Sequence, residues 1–397
     1  MIKKSRINTI MGKEFSFISP LSHHHFFGYY YYCPWSYDES RIACLRVDLN
    51  HPNTLPQMGS EAEVGWFHEG EFIPISKTKA WNWHQGSMLQ WLPNDNLVHN
   101  MMNSKGEVWS RSLNFNGEET KRWNRPIFDL HPNGKLALSL SFSRLSKYRT
   151  CNGYTGARDG EPDIPKPKND GIWLLDLEND KEDLIVSLEE ISSIKPTEEI
   201  LKSPQWINHL HWNPSGNRFL VTHRWQPEGS SGLKTRCWCF DGDGGQPTLL
   251  VDGEFSHWDW RDDETIVAWC EIDKTMAYWD LKDTPGRLEP VHDGDGAEIF
   301  QPEHLDADGH GTFSLNRNHF ISDYPLGQDG YQYLHLINLK NETSEHLVTL
   351  NKNPDYNGNI RCDIHPRWDR SGKCILIDTG CRGPRSLAVY NLTSKIN

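Results

Sequence analysis

The sequence predicts an all-β chain folded as a single seven-bladed β-propeller with four-stranded blades, and three observations predict it. The chain has 397 residues and only 36% hydrophobic content, yet it holds 17 Trp and 11% aromatic residues. Disordered chains are poor in aromatics, so these rings are expected to pack between many short sheets. The 31 Gly and 23 Pro supply turns enough to punctuate many strands. Last, one phrase recurs: an anchor residue that is usually aromatic, a turn of Pro, Asp, Asn, Ser or Gly, then an apolar strand.

The copies read PWSYDESRIACL at Trp35, QWLPNDNLVHNM at Trp91, DLHPNGKLALSL at Leu130 and HWNPSGNRFLVT at Trp212. They continue as DWRDDETIVAWC at Trp260, TFSLNRNHFISD at Phe313 and RWDRSGKCILID at Trp368. Seven copies at a mean spacing of about 55 residues match the repeat length of a propeller unit. Each reads as a β-hairpin, and further strands such as DGIWLLDLEN, TMAYWDLKD and YQYLHLINL follow most of them. One domain is expected over 1–397, with 1–22 carrying a strand (FSFISPL, 15–21) that closes the ring. The polar Gly/Pro-rich stretch at about 148–170 is expected to be an insertion, of the kind that forms lids, binding loops or disordered segments. Helical periodicity is visible only around 189–201.

The net charge is -13. No long basic stripe is present, which argues against nucleic acid as a partner. Nine Cys is an odd number with no CxxC pair, so a secreted disulfide framework is not expected. The opening MIKKSRINTIMGKEFSF has no apolar core of signal-peptide length, and no run approaches a membrane span. The expected compartment is the cytoplasm.

The chemistry shows when the copies are aligned on their anchors and read three residues back. That register holds Tyr32, Met88, Ile127, His209, His257, His310 and His365. Four consecutive blades thus carry a His at one level of the innermost strand, which in a propeller borders the central channel. Chance is a poor account with 19 His in 397 residues. Imidazole is a common ligand of Zn and Mn, and Cys362, three residues before His365, could reach the same ion. Arg224, Arg367, Arg382 and Arg385 offer carboxylate-pairing forks.

Several separate phrases, SHHHFFGYYYYCPWS, WHQGSMLQWLP, NHLHWNPSGNRFLVTHRW, DGHGTFS and CDIHPRWDRSGK, together resemble the oligogalacturonate-lyase and ulvan-lyase superfamily of seven-bladed propellers over nearly the whole chain. The resemblance implies β-elimination on uronic-acid saccharides. It implies a divalent ion, typically Mn, on His257, His310 and His365, with His209 as a further ligand or a base. Ulvan-type members are implied to use two His of blade two and a Tyr and Arg of blade three. Here those would be His84 and His99, with Tyr148 or Tyr154 and Arg144, Arg149 or Arg158, although His84 and His99 stand closer together than that pattern implies. Some similar propellers remove rhamnose from glucuronate instead, so the fold does not fix the reaction.

The resulting expectation is a lyase cleaving acidic oligosaccharides, as a monomer or small homo-oligomer, with no membrane partner. Its catalytic candidates are His209, Arg224, His84, His99 and Tyr154. Its metal candidates are His257, His310, His365 and Cys362, with Mn or Zn, or else Ca, as the ion. The alternatives are a rhamnosidase-like glycoside hydrolase and a non-catalytic carbohydrate- or protein-binding propeller. A P-loop, GxSxG, HExxH and GxGxxG are all absent.

Overall fold

The computed structural model describes residues 14–230, 232–300, 305–326 and 329–396; the opening segment discussed above lies, up to residue 13, outside them. Seven sheets form the ring. Blade one is His23–Phe26, Ile42–Asp48, Ala62–His68 and Glu71–Thr78. Blade two is Gln90–Trp91, Leu97–Met102, Val108–Leu113 and Glu119–Trp123. Blade three is Asp129–Leu130, Leu136–Ser139, Gly171–Asp176 and Lys181–Ser187. Blade four is Gln205–Trp212, Arg218–Trp225, Lys234–Asp241 and Thr248–Asp252. Blade five is Phe255–Trp260, Thr265–Ile272, Thr275–Lys282 and Gly296–Ile299, with a short fifth strand, His292–Asp293. Blade six is Gly311–Phe313, His319–Ser322, Tyr331–Asn338 and Thr343–Asn351. Blade seven is Arg367–Trp368, Cys374–Thr379 and Ser386–Asn391, completed by Phe15–Phe17 from the other end of the chain. That last pairing closes the ring and satisfies an edge that would otherwise be open.

The recurring anchor has a structural reason. At three anchors the indole N–H reaches across to the preceding blade, where it donates to the carbonyl one residue before that blade's own anchor, while the Trp212 indole N–H is buried without a partner. Trp91 donates to Pro34 (2.8 Å), Trp260 to His211 (3.2 Å) and Trp368 to Thr312 (3.1 Å). The side chain one residue before the anchor answers in the other direction. It accepts the anchor amide of the next blade: Gln90 from Leu130, Asp129 from Trp212 and Asp259 from Phe313, all at 2.8 Å. These reciprocal bonds tie blade to blade at the channel wall. They satisfy backbone groups that would be costly to bury unpaired.

In blade one the inner strand departs from the repeat. Trp35 makes only an isolated bridge to Ile42, while His23–Phe26 pairs with the rest of that neighbour. Between them the segment 27–34 leaves the sheet and crosses the channel. Gly28 makes this possible: its φ is +139°, and a Cβ there would lie 2.5 Å from the Gln85 carbonyl oxygen.

The insertion begins inside a helix, Phe142–Tyr148, whose first turn is capped by Ser141 and by Asp159, which accepts the Phe142 and Ser143 amides. Arg144 is buried beneath it and donates to the carbonyls of Gln205, Glu161 and Ile164. Gly153 O accepts from Asn82, Thr150 from Asn359, and Gly106 O from the Arg158 amide. The insertion is therefore pinned to blade two and to the approach to blade seven. The helical signal near 189–201 resolves into two short capped helices, Leu188–Ser193 and Glu198–Lys202. All nine cysteines are free. Among the described residues, no helix is long and apolar enough to cross a membrane.

Candidate active site

Three of the four histidines of the shared register meet, and His209 reaches them only through the ring of Tyr29. Ring centroids of His257 and His310 lie 4.0 Å apart, and those of His310 and His365 4.3 Å. His84, from the loop that leads into blade two, joins them at 4.9 Å from His365. The segment crossing the channel brings Tyr29 into their midst. Its ring stacks on His209 (4.9 Å, 19°) and touches His84, His365 and His310. Tyr30 packs on His310 and is fixed by bonds to both backbone groups of Trp258; Tyr32 donates to the Phe128 carbonyl. Arg367, clamped by Asp378, donates to the Gly28 and Tyr29 carbonyls and holds the segment in place.

The hydrogen bonds fix which nitrogen of each imidazole is free. His257 Nδ1 faces Asp308 (2.9 Å), His310 Nδ1 faces Asp323 (3.0 Å) and His365 Nδ1 faces the Gly28 carbonyl (2.8 Å). Each partner only accepts, so in the neutral ring each Nδ1 carries the proton and each Nε2 keeps its lone pair. The Nε2 atoms of His310 and His365 are buried without a partner. His84 differs: its Nε2 lies 3.0 Å from an Arg361 nitrogen, which can only donate. His84, Asp363 and His365 each place one possible ligand atom within 4.8 Å of the others.

Electrostatics separate the histidines further. Burial pushes His84, His209 and His365 well below the usual range, with Arg361, Arg224 and His310 respectively adding to the effect. These three are neutral imidazoles at neutral pH. Burial opposes a charge on His310 too, but the Asp323 carboxylate outweighs it and holds His310 above the ordinary value. A field that favours a proton there also favours a metal cation. Nitrogen-rich donors with unsatisfied lone pairs fit a borderline ion such as Zn, whereas the harder Mn also calls for oxygen, which the nearby Asp363 carboxylate offers; Ca prefers an all-oxygen shell.

Beside the imidazoles stand guanidinium groups. Arg361 is tied to Asp363 (2.6 Å). Arg224 and Arg149 are not tied: each has a buried Nε without a partner. Among the described residues neither makes an ion pair. Burial and the neighbouring Arg149 pull Arg224 down to about 10. Two uncompensated cations kept close together are a cradle for an anion.

Not every expected residue comes to this place. His99 lies in the blade-two sheet, with Nδ1 at the Asn100 carbonyl and Nε2 accepting from Arg111. Tyr154 is fully buried, stacked on Phe142 at 4.2 Å with its hydroxyl at Asn100. Tyr148 stacks on Trp206, and Arg144 is spent on carbonyls. Cys362 is buried, its thiol pushed up to about 12 by burial; the residue grouped with His365 is its neighbour Asp363. Arg367 is structural, Arg385 lies over Trp83 and Tyr356, and Arg382 lies over Phe17 of the closing strand. Sequence reasoning passed over Tyr29, Arg361, Asp363, Asp308 and Asp323. A repeated Asp-x-His in two adjacent blades, Asp308–Gly309–His310 and Asp363–Ile364–His365, was the signal available.

No family model matches the chain, and no curated protein does. Solved structures do. The oligogalacturonate lyase of Vibrio parahaemolyticus aligns with a TM-score of 0.65 at 11% identity, over 98% of this chain and 97% of that one. An oligogalacturonate lyase in complex with manganese aligns at 0.65 and 13% identity, over 95% and 92%. Prolyl oligopeptidase B from Galerina marginata aligns at 0.55 and 10%, over 94% of this chain and 49% of that one. At such identities the likeness establishes the seven-bladed propeller and leaves the reaction to the site.

Proposed function

We propose that this chain is a carbohydrate lyase that cleaves uronic-acid-containing oligosaccharides by β-elimination, with a divalent metal ion on the channel histidines. The observation that carries the reading is one cluster of three kinds of group. It holds imidazoles with buried, unpartnered Nε2 atoms at His310 and His365, an imidazole at His209 with a buried, unpartnered Nδ1, and two guanidiniums with unpartnered Nε atoms. The oligogalacturonate lyase in complex with manganese, similar in fold, supports Mn as the first ion to test.

A uronide C5 proton is only weakly acidic, and the adjacent carboxylate makes its removal harder. His257, His310 and His365 would hold the ion, which when bound supplies a positive charge against the developing enolate-like charge. Arg224 and Arg149 pair the carboxylate and add to that neutralisation. His209, with a buried, unpartnered Nδ1 and its charged form disfavoured, accepts the C5 proton as general base; the C4–O4 bond breaks as the C4–C5 double bond forms, and a water protonates the leaving oxygen. Tyr29 stacks on His209 and fixes its plane. The expected substrate is a small oligosaccharide in the cytoplasm, acted on by a monomer or small homo-oligomer.

The test is a screen of uronic-acid oligosaccharides with metal-loaded protein, read by absorbance of the new C4–C5 double bond. His209→Ala is expected to abolish turnover while metal content and thermal unfolding stay unchanged. If no uronide gives an unsaturated product, the lyase reading fails. If His209→Ala stays fully active while His84→Ala and His99→Ala are dead, the chemistry belongs to blade two.

A further inference from the structure

Blade six contributes more than His310. Asp308 lies two residues before it, and Asp323 lies just beyond the second strand, His319–Ser322, that pairs with Gly311–Phe313. The two carboxylates do different jobs around the cluster. Asp308 accepts from the His257 ring of blade five and from the Ser256 hydroxyl, both at 2.9 Å. Asp323 is 4% exposed and accepts from the His310 ring and from the His310 amide (2.6 Å). The third acceptor, the Gly28 carbonyl, is a main-chain atom of the crossing segment. Three imidazoles from three blades thus have the same nitrogen engaged by an outward acceptor.

The arrangement is specific. His209, at the same register, has no such acceptor, and His84 has its Nε2 occupied by Arg361. His211, whose Nδ1 is held by Asp129 at 3.0 Å, belongs to the level one residue before the anchors. Neutral histidine in water favours the proton on Nε2, which would aim an N–H, not a lone pair, into the cluster. Something must reverse that preference at each ligand, and a fixed acceptor on the far nitrogen does so while locking the ring plane.

We propose that Asp308 and Asp323 are the positioning residues of the metal centre: from blade six they set the Nδ1–H tautomer of His257 and His310, so that both present Nε2 lone pairs to one divalent ion. This rests on the metal reading above. Neither carboxylate need touch the ion, yet their two negative charges lie within one residue's reach of a dication. That lowers the cost of placing it in a largely buried site.

Four preparations test it: wild type, Asp308→Ala, Asp308→Asn and, at the second position, Asp323→Asn. Mn and Zn affinity is read by calorimetry on the intact chain. The imidazole tautomers are read by nitrogen-15 NMR on the metal-free chain, a readout independent of any activity. Loss of an outer-shell partner is expected to weaken metal binding by about 10–100-fold. Asp308→Ala should show that loss and move the His257 proton towards Nε2. Asp308→Asn keeps an acceptor oxygen and should restore the Nδ1–H tautomer and part of the affinity. If Asp323→Asn does not fold, the Asp308 pair alone decides, since that carboxylate is 27% exposed. Wild-type affinity in Asp308→Ala with an unchanged tautomer would overturn the proposal and leave the metal reading standing. A wild type that binds neither ion would overturn both.

Discussion

Arg224 should be a residue whose removal stabilises the protein while weakening its function. Arg224 has no counter-charge among the described residues, and it also faces Arg149. The guanidinium is held at about 10, against an ordinary 12.5. At 1.36 kcal/mol per pKa unit, keeping it charged in the fold costs roughly 3 kcal/mol. The sign follows directly: a depressed base is penalised wherever it is charged, so at every pH below about 10 the folded state carries this cost. Arg224→Met keeps the apolar stem and removes the charge, and should recover on the order of 1–3 kcal/mol, a few degrees in Tm. Substrate binding should move the other way. Losing charge-assisted hydrogen bonds to a carboxylate, worth about 1.5–3 kcal/mol, should raise KM by roughly tenfold to a hundredfold. Thermal unfolding of the purified protein and initial rates on an active uronide read the two effects separately. A variant that is less stable than wild type and keeps its KM would refute the reasoning, because Arg224 would then be a compensated structural residue.

Trp260→Phe removes the indole N–H that reaches the His211 carbonyl across the blade interface, and should cost about 1–3 kcal/mol in thermal or denaturant unfolding with metal affinity unchanged. A neutral effect would mean that the anchors pack but do not tie. His211 gives a pH signature. Burial disfavours its charge, but Asp129 more than offsets this and raises it above the ordinary value. Its contribution to stability is therefore full below an unfolded value near 6.5 and is lost as pH rises through the higher folded value. Wild type should lose its stability advantage over Asp129→Asn across that window; a difference independent of pH there would rule the pair out as its source.

The ring was legible because it is written seven times. The anchor, the turn and the apolar strand recur for a local reason, the packing and, at several interfaces, the bonds between neighbouring blades, so most copies repeat similar residue types. The histidine register was legible for the same reason: a shared position on the inner strand maps onto a shared level of the channel. What the repeats could not show is what breaks them. Tyr29 reaches the site because the segment after Phe26 leaves the sheet, and four consecutive tyrosines give no periodicity from which to place a ring. His84 and Arg149 come from loops whose approach depends on contacts far away in sequence, such as Gly28 against Gln85 and Gly106 against the insertion. Tyr154 and His99 carry residue types suited to catalysis, yet a stacked Phe142 and a paired Arg111 occupy them.

The two candidate sites expected from the sequence, one on blades four to seven and one on blades two and three, come together in the fold through His84 and Arg149. A seven-membered ring has a single channel, so a loop entering blade two can stand nearly as close to blade seven as blade six does. His84 lies 4.9 Å from His365, against 4.3 Å for His310. The propeller alone does not choose a chemistry, since it is shared with a prolyl oligopeptidase as well as with lyases. What chooses is the decoration of the channel mouth, and here its members come from different blades and from the crossing segment. Their distances are fixed only once Phe15–Phe17 has paired with Ser386–Asn391. Closure of the ring is thus a condition for the site as well as for the fold, and the reciprocal bonds between neighbouring blades carry the geometry of the imidazoles with them.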